Sequence, residues 1–191
     1  NILLDDMIVD ASPGDGNWAD TPWIAILNKS VCQKPNGKIS AEMGFYPVYA
    51  VSKNEKLILF GLGQGETNVR LNYPKDVDHI LKTRAIYLNK KLPEHKNFFK
   101  DISTTVLEKE NLKRERWVKS CAFGKIYKTK KLPTEQELRD DFIQMIDLYR
   151  KAIERGGVSE GLTSQNTFDQ EQASVGYEKK IIRHINLENQ I

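Results

Sequence analysis

The stretch GDGNWADTPWIAIL, residues 14–27, brings two of the three tryptophans in the chain close to the start of an apolar run. The segment before that run is rich in turn-forming Gly, Pro, Asp and Asn. The run WIAIL is short, apolar and β-rich, which predicts a central strand entered from a polar loop. Trp23 at this junction either closes the core where the loop becomes a strand or forms a surface for a flat ligand.

Further strands are predicted on the C-terminal side of this stretch. Residues 46–52 (YPVYAVS) and 56–65 (KLILFGLGQG) are typical of two hairpin strands with a short connection. Residues 65–73 predict an additional strand. Residues 117–127 predict a late strand interrupted by a glycine.

Helices are predicted between and after these strands. Apolar residues at helical spacing follow Pro74, and Pro93 opens a second, shorter helix. Thr134 and Glu137 form a capping box at the start of the most regular helical pattern, which ends at residues 156–157 (GG). The order of elements predicts an α+β fold with a mixed, largely antiparallel central sheet flanked by helices.

The composition indicates an ordinary globular domain. The chain has 191 residues, of which 39% are hydrophobic, enough for one core. No apolar run approaches the length of about 18 residues that a membrane helix requires. Cys32 and Cys121 match no metal-binding spacing, so we expect reduced thiols in a cytoplasmic protein without membrane contact.

Charge is distributed unevenly along the chain. Residues 1–74 carry a net charge of −2, residues 75–131 carry +9, and residues 132–191 carry −4. Solvated lysines on an ordinary surface would explain such a segment. A basic middle third between acidic flanks is equally typical of a surface that faces a polyanion.

Motifs of catalysis are missing from the sequence. It contains no GxxxxGK[ST] or GxGxxG loop, no zinc spacing and no GxSxG elbow. His79, His95 and His184 are scattered and are predicted at surface or helix-face positions, and residues 108–110 (EKE) are predicted to be a solvated charge run. We therefore expect no catalytic residue, metal or cofactor in this chain. Aromatic residues beside loops, together with a basic segment, are typical of a module that binds nucleic acid and holds a base.

Four motifs, taken in order, resemble the N-terminal DNA-recognition domain of McrB, from the modified-cytosine-restricting McrBC system. The resemblance covers residues 12–68, and the closing helix fits by position and pattern. The motifs are GDGN at 14–17, PW at 22–23, GFYPV at 44–48 and LILFGLGQGETN at 57–68.

The resemblance implies a domain that binds duplex DNA and flips 5-methyl- or 5-hydroxymethylcytosine into an aromatic pocket, as part of phage defence by a restriction system. Trp23 matches the pocket tryptophan of the family, and Tyr46 matches a pocket tyrosine on the adjacent strand. Ala50 stands where that relative has a leucine near the methyl group, so a bulkier modification would fit. Trp117 is a candidate third wall or a core residue.

The glycine loop departs from the family pattern. The family has a tyrosine between the two glycines, which fills the gap left in the duplex. Here Asp15 lies between Gly14 and Gly16, and a carboxylate cannot stack and is repelled by phosphate. Either Trp18, which follows Asn17, acts as the wedge, or another loop residue does, or the wedge is absent.

Contacts to phosphate are expected from the basic segment. Such contacts fix the register of a protein on the duplex without reading its sequence. The candidate residues are Lys113, Arg114, Arg116, Lys119, Lys125 and Lys128, followed by Lys130 and Lys131.

The domain organisation is expected to extend beyond this chain. Residues 1–157 form the recognition domain, and the polar residues 158–176 form a linker. Residues 177–191 resemble the charged helix that leads into the HNH domain of McrA-like endonucleases. The lack of an initiator methionine also indicates a fragment, so we expect an HNH nuclease or a GTPase motor after residue 191. The alternatives are a protein-interaction domain without a nucleic-acid role and a nuclease with a degenerate acidic site.

Overall fold

The computed structural model describes residues 5–13, 22–52, 56–102, 118 and 120–158. Within these residues, six strands form one sheet in the order β1-β2-β3-β4-β6-β5, and every pair of neighbouring strands is antiparallel. The α+β prediction is therefore confirmed. The elements are β1 (Met7–Ser12), β2 (Trp23–Asn28), β3 (Phe45–Val51), β4 (Leu57–Gln64), α1 (Glu66–Asn72), α2 (Val77–Lys91), a 3₁₀ helix (Pro93–Asn97), β5 (Lys100–Asp101), β6 (Phe123–Lys128) and α3 (Glu135–Glu154).

The predicted hairpin is formed by β3 and β4. Its register runs from Phe45 opposite Gln64 to Val51 opposite Ile58. Tyr49 and Phe60 stand opposite each other in this hairpin, and their rings stack with centroids 4.0 Å apart. Such cross-strand aromatic pairs stabilise a sheet, and this one fixes the register of its two central strands.

The sheet has two distinct faces, because successive side chains of a strand point to opposite sides. Phe45, Tyr49 and Phe60 lie on the face that α3 covers, where the ring of Tyr149 meets the ring of Phe45 edge-on at 5.7 Å. We call this the helix face. Tyr46, Val48 and Ala50 alternate with these residues along β3 and lie on the opposite side, which we call the cavity face.

Helix α3 begins and ends as the sequence predicts. The Thr134 hydroxyl accepts from the backbone N–H of Glu137, and the Glu137 carboxylate accepts from the backbone N–H of Thr134. Past the other end, Gly157 has φ of +52° and lies against the ring of Phe45. A side chain there would meet that ring, so glycine is required both for the conformation and for the close approach.

Two elements differ from the sequence predictions. Residues 65–73 were predicted as a strand, which is wrong, because α1 occupies Glu66–Asn72 and buries Val69 against the start of α2. Strand β1 was not predicted, yet it pairs with the whole of β2. The late strand begins only at Phe123, later than expected.

His95 lies in the 3₁₀ helix and is buried, so of the surface and helix-face positions that the sequence predicted, the surface position is wrong. Its Nδ1 lies 2.5 Å from the carbonyl oxygen of Leu92 and its Nε2 lies 2.5 Å from Oδ1 of Asp101. The ring stacks on Phe123 with centroids 4.5 Å apart. The imidazole thus ties the 3₁₀ helix to β5 and β6, and polar partners at both nitrogens make its burial possible.

Both cysteines are buried as free thiols. Burial raises the pKa of Cys32 to about 11 and that of Cys121 to about 12. Among the helices that the structure describes, none has the length and apolar character to cross a membrane. The predicted linker and terminal helix lie outside the described residues, except for Val158.

Candidate functional site

Trp23 begins β2 and stands opposite Ala50 of β3. Its side chain is half-buried and packs against the core. The sequence left a choice between a core residue and a surface for a ligand. In the structure Trp23 packs against the core and also lines a cavity.

Tyr46 lies on the same face of the sheet, near the start of β3. Its ring is buried, and its hydroxyl donates to the carbonyl oxygen of Ala41 at 2.6 Å. Burial is the main cause that raises the pKa of Tyr46, so the phenol stays neutral. The hydroxyl therefore fastens the turn at residues 40–42 to the sheet and holds the ring in one orientation.

A cavity of about 330 Å³ extends over this face along β3. Trp23, Tyr46 and Ala50, three of the four residues predicted to line a pocket, all line it. The remaining lining comes from β1, β3, β4, the 40–42 turn, the start of α1 and one residue before β6. These residues are Asp10, Val48, Gly63, Gln64, Ser40, Ala41, Glu42, Glu66, Thr67 and Ser120.

The wall formed by the 40–42 turn depends on a close approach of two backbone segments. The N–H of Gly65 donates to the carbonyl oxygen of Gly44 at 2.8 Å, and the N–H of Asn68 donates to that of Glu42 at 3.4 Å. A Cβ atom at Gly65 would collide with the Glu42 backbone. Glycine at 65 therefore lets the turn and the first turn of α1 meet at the edge of the cavity.

The cavity lining is acidic. Asp10, Glu42 and Glu66 contribute carboxylates, whereas no Lys or Arg is among the lining residues that the structure describes. Glu42 pairs with Lys34 at 2.7 Å, and that hydrogen bond lowers the pKa of its carboxyl. One oxygen of Asp10 accepts from the N–H of Ala11 at 2.9 Å. Aromatic surface with hydrogen-bond acceptors suits a planar group that carries donors.

A basic cluster lies at one end of the sheet. Lys56 precedes β4, Lys128 ends β6, and Lys130 and Lys131 follow in the next turn; all four are exposed. A backbone hydrogen bond from Thr129 to Lys56 draws the two segments together, and one from Lys131 to Lys128 closes the turn after β6. Since antiparallel strands alternate in direction, this end is also the one where β2 starts at Trp23 and β3 ends after Ala50.

Lys125 was expected to contact phosphate but lies on the helix face, opposite Phe60. Its Nζ is 2.5 Å from Oδ1 of Asp141 in α3. It also lies 5.6 Å from the ring centroid of Phe99. Lys125 is thus paired within the scaffold, whereas Lys128 lies on the cavity face by the alternation of β6.

The other predicted site residues lie outside the part of the chain that the structure describes. They are the loop residues Gly14, Asp15, Gly16, Asn17 and Trp18, the pocket candidate Trp117, and the basic residues Lys113, Arg114, Arg116 and Lys119.

Several lining residues were not predicted from the sequence. Asp10 reaches the cavity through β1, which the alternation of MIVDAS (Met7–Ser12) and its β-branched residues could have indicated. The 40–42 turn and the start of α1 carry no comparable signal, because only the sheet and Gly65 bring them together. No group of three or more His, Cys, Asp or Glu among the described residues could hold a metal ion.

Comparison with known proteins identifies the family. The family described as "MrcB-like, N-terminal domain" matches residues 1–154. No match was found among curated proteins. The family match spans all six strands and α1 to α3, and such a domain is consistent with a DNA-binding role in a restriction system. Because the match covers most of its length, the chain belongs to the MrcB-like N-terminal domain family.

Proposed function

We propose that this domain binds duplex DNA and holds a flipped 5-methyl- or 5-hydroxymethylcytosine in the cavity beside Trp23. The observation that carries the proposal is that Trp23, Tyr46 and Ala50 line one cavity at the cavity face of the sheet. Its volume of about 330 Å³ falls at the lower end of the roughly 300–1,000 Å³ range of small-ligand pockets. A cavity of this volume is large enough for a single base.

The energetics of flipping are compatible with such a cavity. Extruding a base from the stack costs a few kcal/mol. Stacking on an aromatic side chain returns about 1–3 kcal/mol for a base. Trp23 is the better candidate for this stack, because its side chain is less buried than that of Tyr46. Tyr46 acts mainly by holding the wall of the cavity through Ala41.

The basic cluster supports the contact to the DNA backbone. Lys56, Lys128, Lys130 and Lys131 are exposed at the end of the sheet that also carries Trp23. Phosphates on either side of a flipped nucleotide would lie near this end. The acidic lining would repel phosphate, which leaves the base as the group that enters the cavity.

In this proposal the domain supplies specificity for a modification-dependent restriction endonuclease in the cytoplasm. A fused or associated nuclease or GTPase motor cuts the DNA, and binding requires no cofactor in this chain. The alternative is a protein-interaction domain, in which the same aromatic residues serve only the core.

Substitution of Trp23 tests the proposal. Titrations should use duplexes that differ only in one cytosine: unmodified, 5-methyl or 5-hydroxymethyl. Trp23→Ala should lower affinity for modified DNA about 5- to 150-fold, the equivalent of one lost stack, and change affinity for unmodified DNA little. Trp23→Phe keeps an aromatic face and should retain most of the preference.

A fluorescence assay separates flipping from simple binding. With 2-aminopurine beside the modified base, the wild-type domain should raise the fluorescence, because the neighbour loses its stack. Equal binding of all three duplexes without brightening would contradict the proposal. If in addition Trp23→Ala failed to fold, the indole would be a core residue and the interaction-domain reading would gain support.

A further inference from the structure

A pocket for 5-methylcytosine faces a competitor that is present in all DNA. Thymine is also a 5-methylpyrimidine, so the methyl group cannot distinguish the two bases. They differ at position 4, where cytosine carries an amino group that donates and thymine carries an oxygen that accepts. A cavity wide enough for one ring is wide enough for the other. Discrimination therefore requires a hydrogen-bonding group of the right polarity.

The carboxylates of the cavity are not equivalent in this respect. Glu42 is paired with Lys34 at 2.7 Å, and Glu66 lies 3.9 Å from Arg70 of its own helix. Asp10 forms no ion pair with any residue that the structure describes. Its only described hydrogen bond is local, from the N–H of Ala11 to Oδ1. The second oxygen of Asp10 is thus the carboxylate oxygen best placed to meet a ligand.

The position of Asp10 in the sheet brings it close to the aromatic wall. Asp10 pairs with Ala25, and Ser12 on the same face pairs with Trp23. Ala25 in turn pairs with Val48, and Trp23 with Ala50. Alternation along β1, β2 and β3 therefore puts Asp10, Trp23 and Ala50 on one face, and all three line the cavity.

We propose that Asp10 selects the base by accepting a hydrogen bond from the 4-amino group of the flipped cytosine. This inference rests on the proposed function and adds a residue that rejects thymine. The 4-oxygen of thymine would meet a carboxylate oxygen, and neither can donate. When thymine leaves water and enters the cavity, its 4-oxygen and the Asp10 carboxylate would face each other as two acceptors. Thymine is then disfavoured both by this repulsion and by the hydrogen bond that it cannot form.

The first test varies only the DNA. Three duplexes carry 5-methylcytosine, thymine or 5-methylpyrimidin-2-one at one position, each opposite guanine. The last base keeps the methyl group but has hydrogen in place of the amino group. A hydrogen bond to a charged group corresponds to about a 10- to 150-fold change in affinity. The wild-type domain should therefore prefer 5-methylcytosine to either of the others by a factor in this range.

The mismatch makes this comparison stringent. A thymine opposite guanine is held less firmly than 5-methylcytosine and flips more easily. A preference for 5-methylcytosine must therefore arise in the cavity and not in the duplex. Equal affinity of the wild-type domain for 5-methylcytosine and 5-methylpyrimidin-2-one would overturn the role of Asp10, whatever any variant does.

The second test varies the protein. Asp10→Asn keeps the shape and can turn its NH₂ group toward the oxygen of thymine. We expect the preference for 5-methylcytosine over thymine to be about 10-fold or more lower in the variant than in the wild-type domain. Measuring both proteins with 5-methylpyrimidin-2-one as well completes a double-mutant cycle between Asp10 and the 4-amino group. Asp5→Asn is the matched control, because it removes the same charge from an exposed residue just before β1, at the other end of the strand pair from Trp23.

The outcomes separate the two proposals. If Asp10→Asn keeps the wild-type preference while the wild-type domain still prefers 5-methylcytosine to cytosine, Asp10 is not the selecting residue and the proposed function stands. If the wild-type domain binds 5-methylcytosine and cytosine alike, the proposed function fails first. A parallel drop for Asp10→Asn and Asp5→Asn would reveal only a general charge effect and would overturn the inference.

Discussion

At the scale of single residues, the small side chain of Ala50 sets the width of the cavity beside Trp23. Ala50 is buried, and its neighbours across the sheet are Trp23 on one side and Leu59 on the other. A larger residue here would extend into the cavity, because the alternation of β3 directs position 50 to the cavity face. The residue at 50 thus controls the space next to whatever occupies the cavity.

Ala50→Leu should change the preference among modified bases. In the proposed complex the added carbons would crowd the 5-position of the base, and overpacking costs about 1–3 kcal/mol. We expect affinity for 5-hydroxymethylcytosine duplexes to fall about 5- to 150-fold, with a smaller loss for 5-methylcytosine. Titration of both duplexes, with unmodified DNA as reference and a thermal melt of the variant, measures this. Equal losses for both modified bases would show that position 50 does not face the 5-substituent.

The residues of the cavity were predictable from the sequence to different degrees. Trp23 and Tyr46 could be found because aromatic side chains stood beside loops at the starts of apolar strands, and Ala50 followed from the family pattern. Asp10 could not be found in this way, because nothing in its local sequence marks it as a cavity residue. Only the pairing of β1 with β2 brings it to the face that Trp23 occupies. The partner of Lys125 was equally hidden, since Asp141 lies 16 residues away on α3.

At the scale of elements, the basic cluster combines the segment before β4 with the turn after β6. Local signals were sufficient for the β3–β4 hairpin and for α3, where strand alternation, the capping box and the glycines agree. They failed for α1, whose only buried residue is Val69 and whose structure depends on packing against α2. The joining of Lys56 to the turn after β6 is likewise a result of strand pairing.

Neutralising the turn after β6 should weaken DNA binding without altering base preference. Each lost phosphate contact should make the slope of log affinity against log salt less negative by about 0.9. We expect the triple variant Lys128→Gln, Lys130→Gln and Lys131→Gln to lose affinity for modified and unmodified duplexes alike. Gel shifts at several salt concentrations measure both quantities.

Lys125→Gln is the matched control for this turn. It removes the same charge from the same strand, but from the helix face, where Lys125 is paired with Asp141. It should lower the free energy of unfolding and leave the salt slope unchanged. A salt slope that changed with Lys125→Gln and not with the triple variant would mean that the duplex approaches the opposite face.

At the scale of the whole molecule, the core contains ionisable groups that keep their protons to a higher pH in the folded domain than in the unfolded chain. Burial raises the pKa of Cys32 from 9.0 to about 11, that of Cys121 to about 12 and that of Tyr49 from 10.0 to about 12. Between about pH 9 and pH 12 the unfolded chain therefore binds fewer protons than the folded domain. These groups leave the free energy of unfolding at its full value below about pH 9 and reduce it as the pH rises through 11 to 12.

Urea unfolding between pH 7 and pH 11 tests this dependence. The free energy of unfolding should be nearly constant to about pH 8.5 and then decline, by up to about 1.4 kcal/mol per pH unit for each group that ionises only when unfolded. Replacing both cysteines by alanine should make the decline shallower, even though the cavities it leaves lower stability at every pH. A constant free energy from pH 8 to pH 11 would contradict the prediction.

The two faces of the sheet have a consequence for how this domain can change during evolution. Phe45, Phe60 and Tyr149 hold the scaffold from one side, while Asp10, Trp23 and Ala50 line the cavity from the other. Mutations that alter the ligand therefore need not disturb the contacts that maintain the fold. Under the proposed function, a few substitutions on one side of β1, β2 and β3 would suffice to change which modified base is bound, and a library randomised at positions 10 and 50 would sample that path in the laboratory.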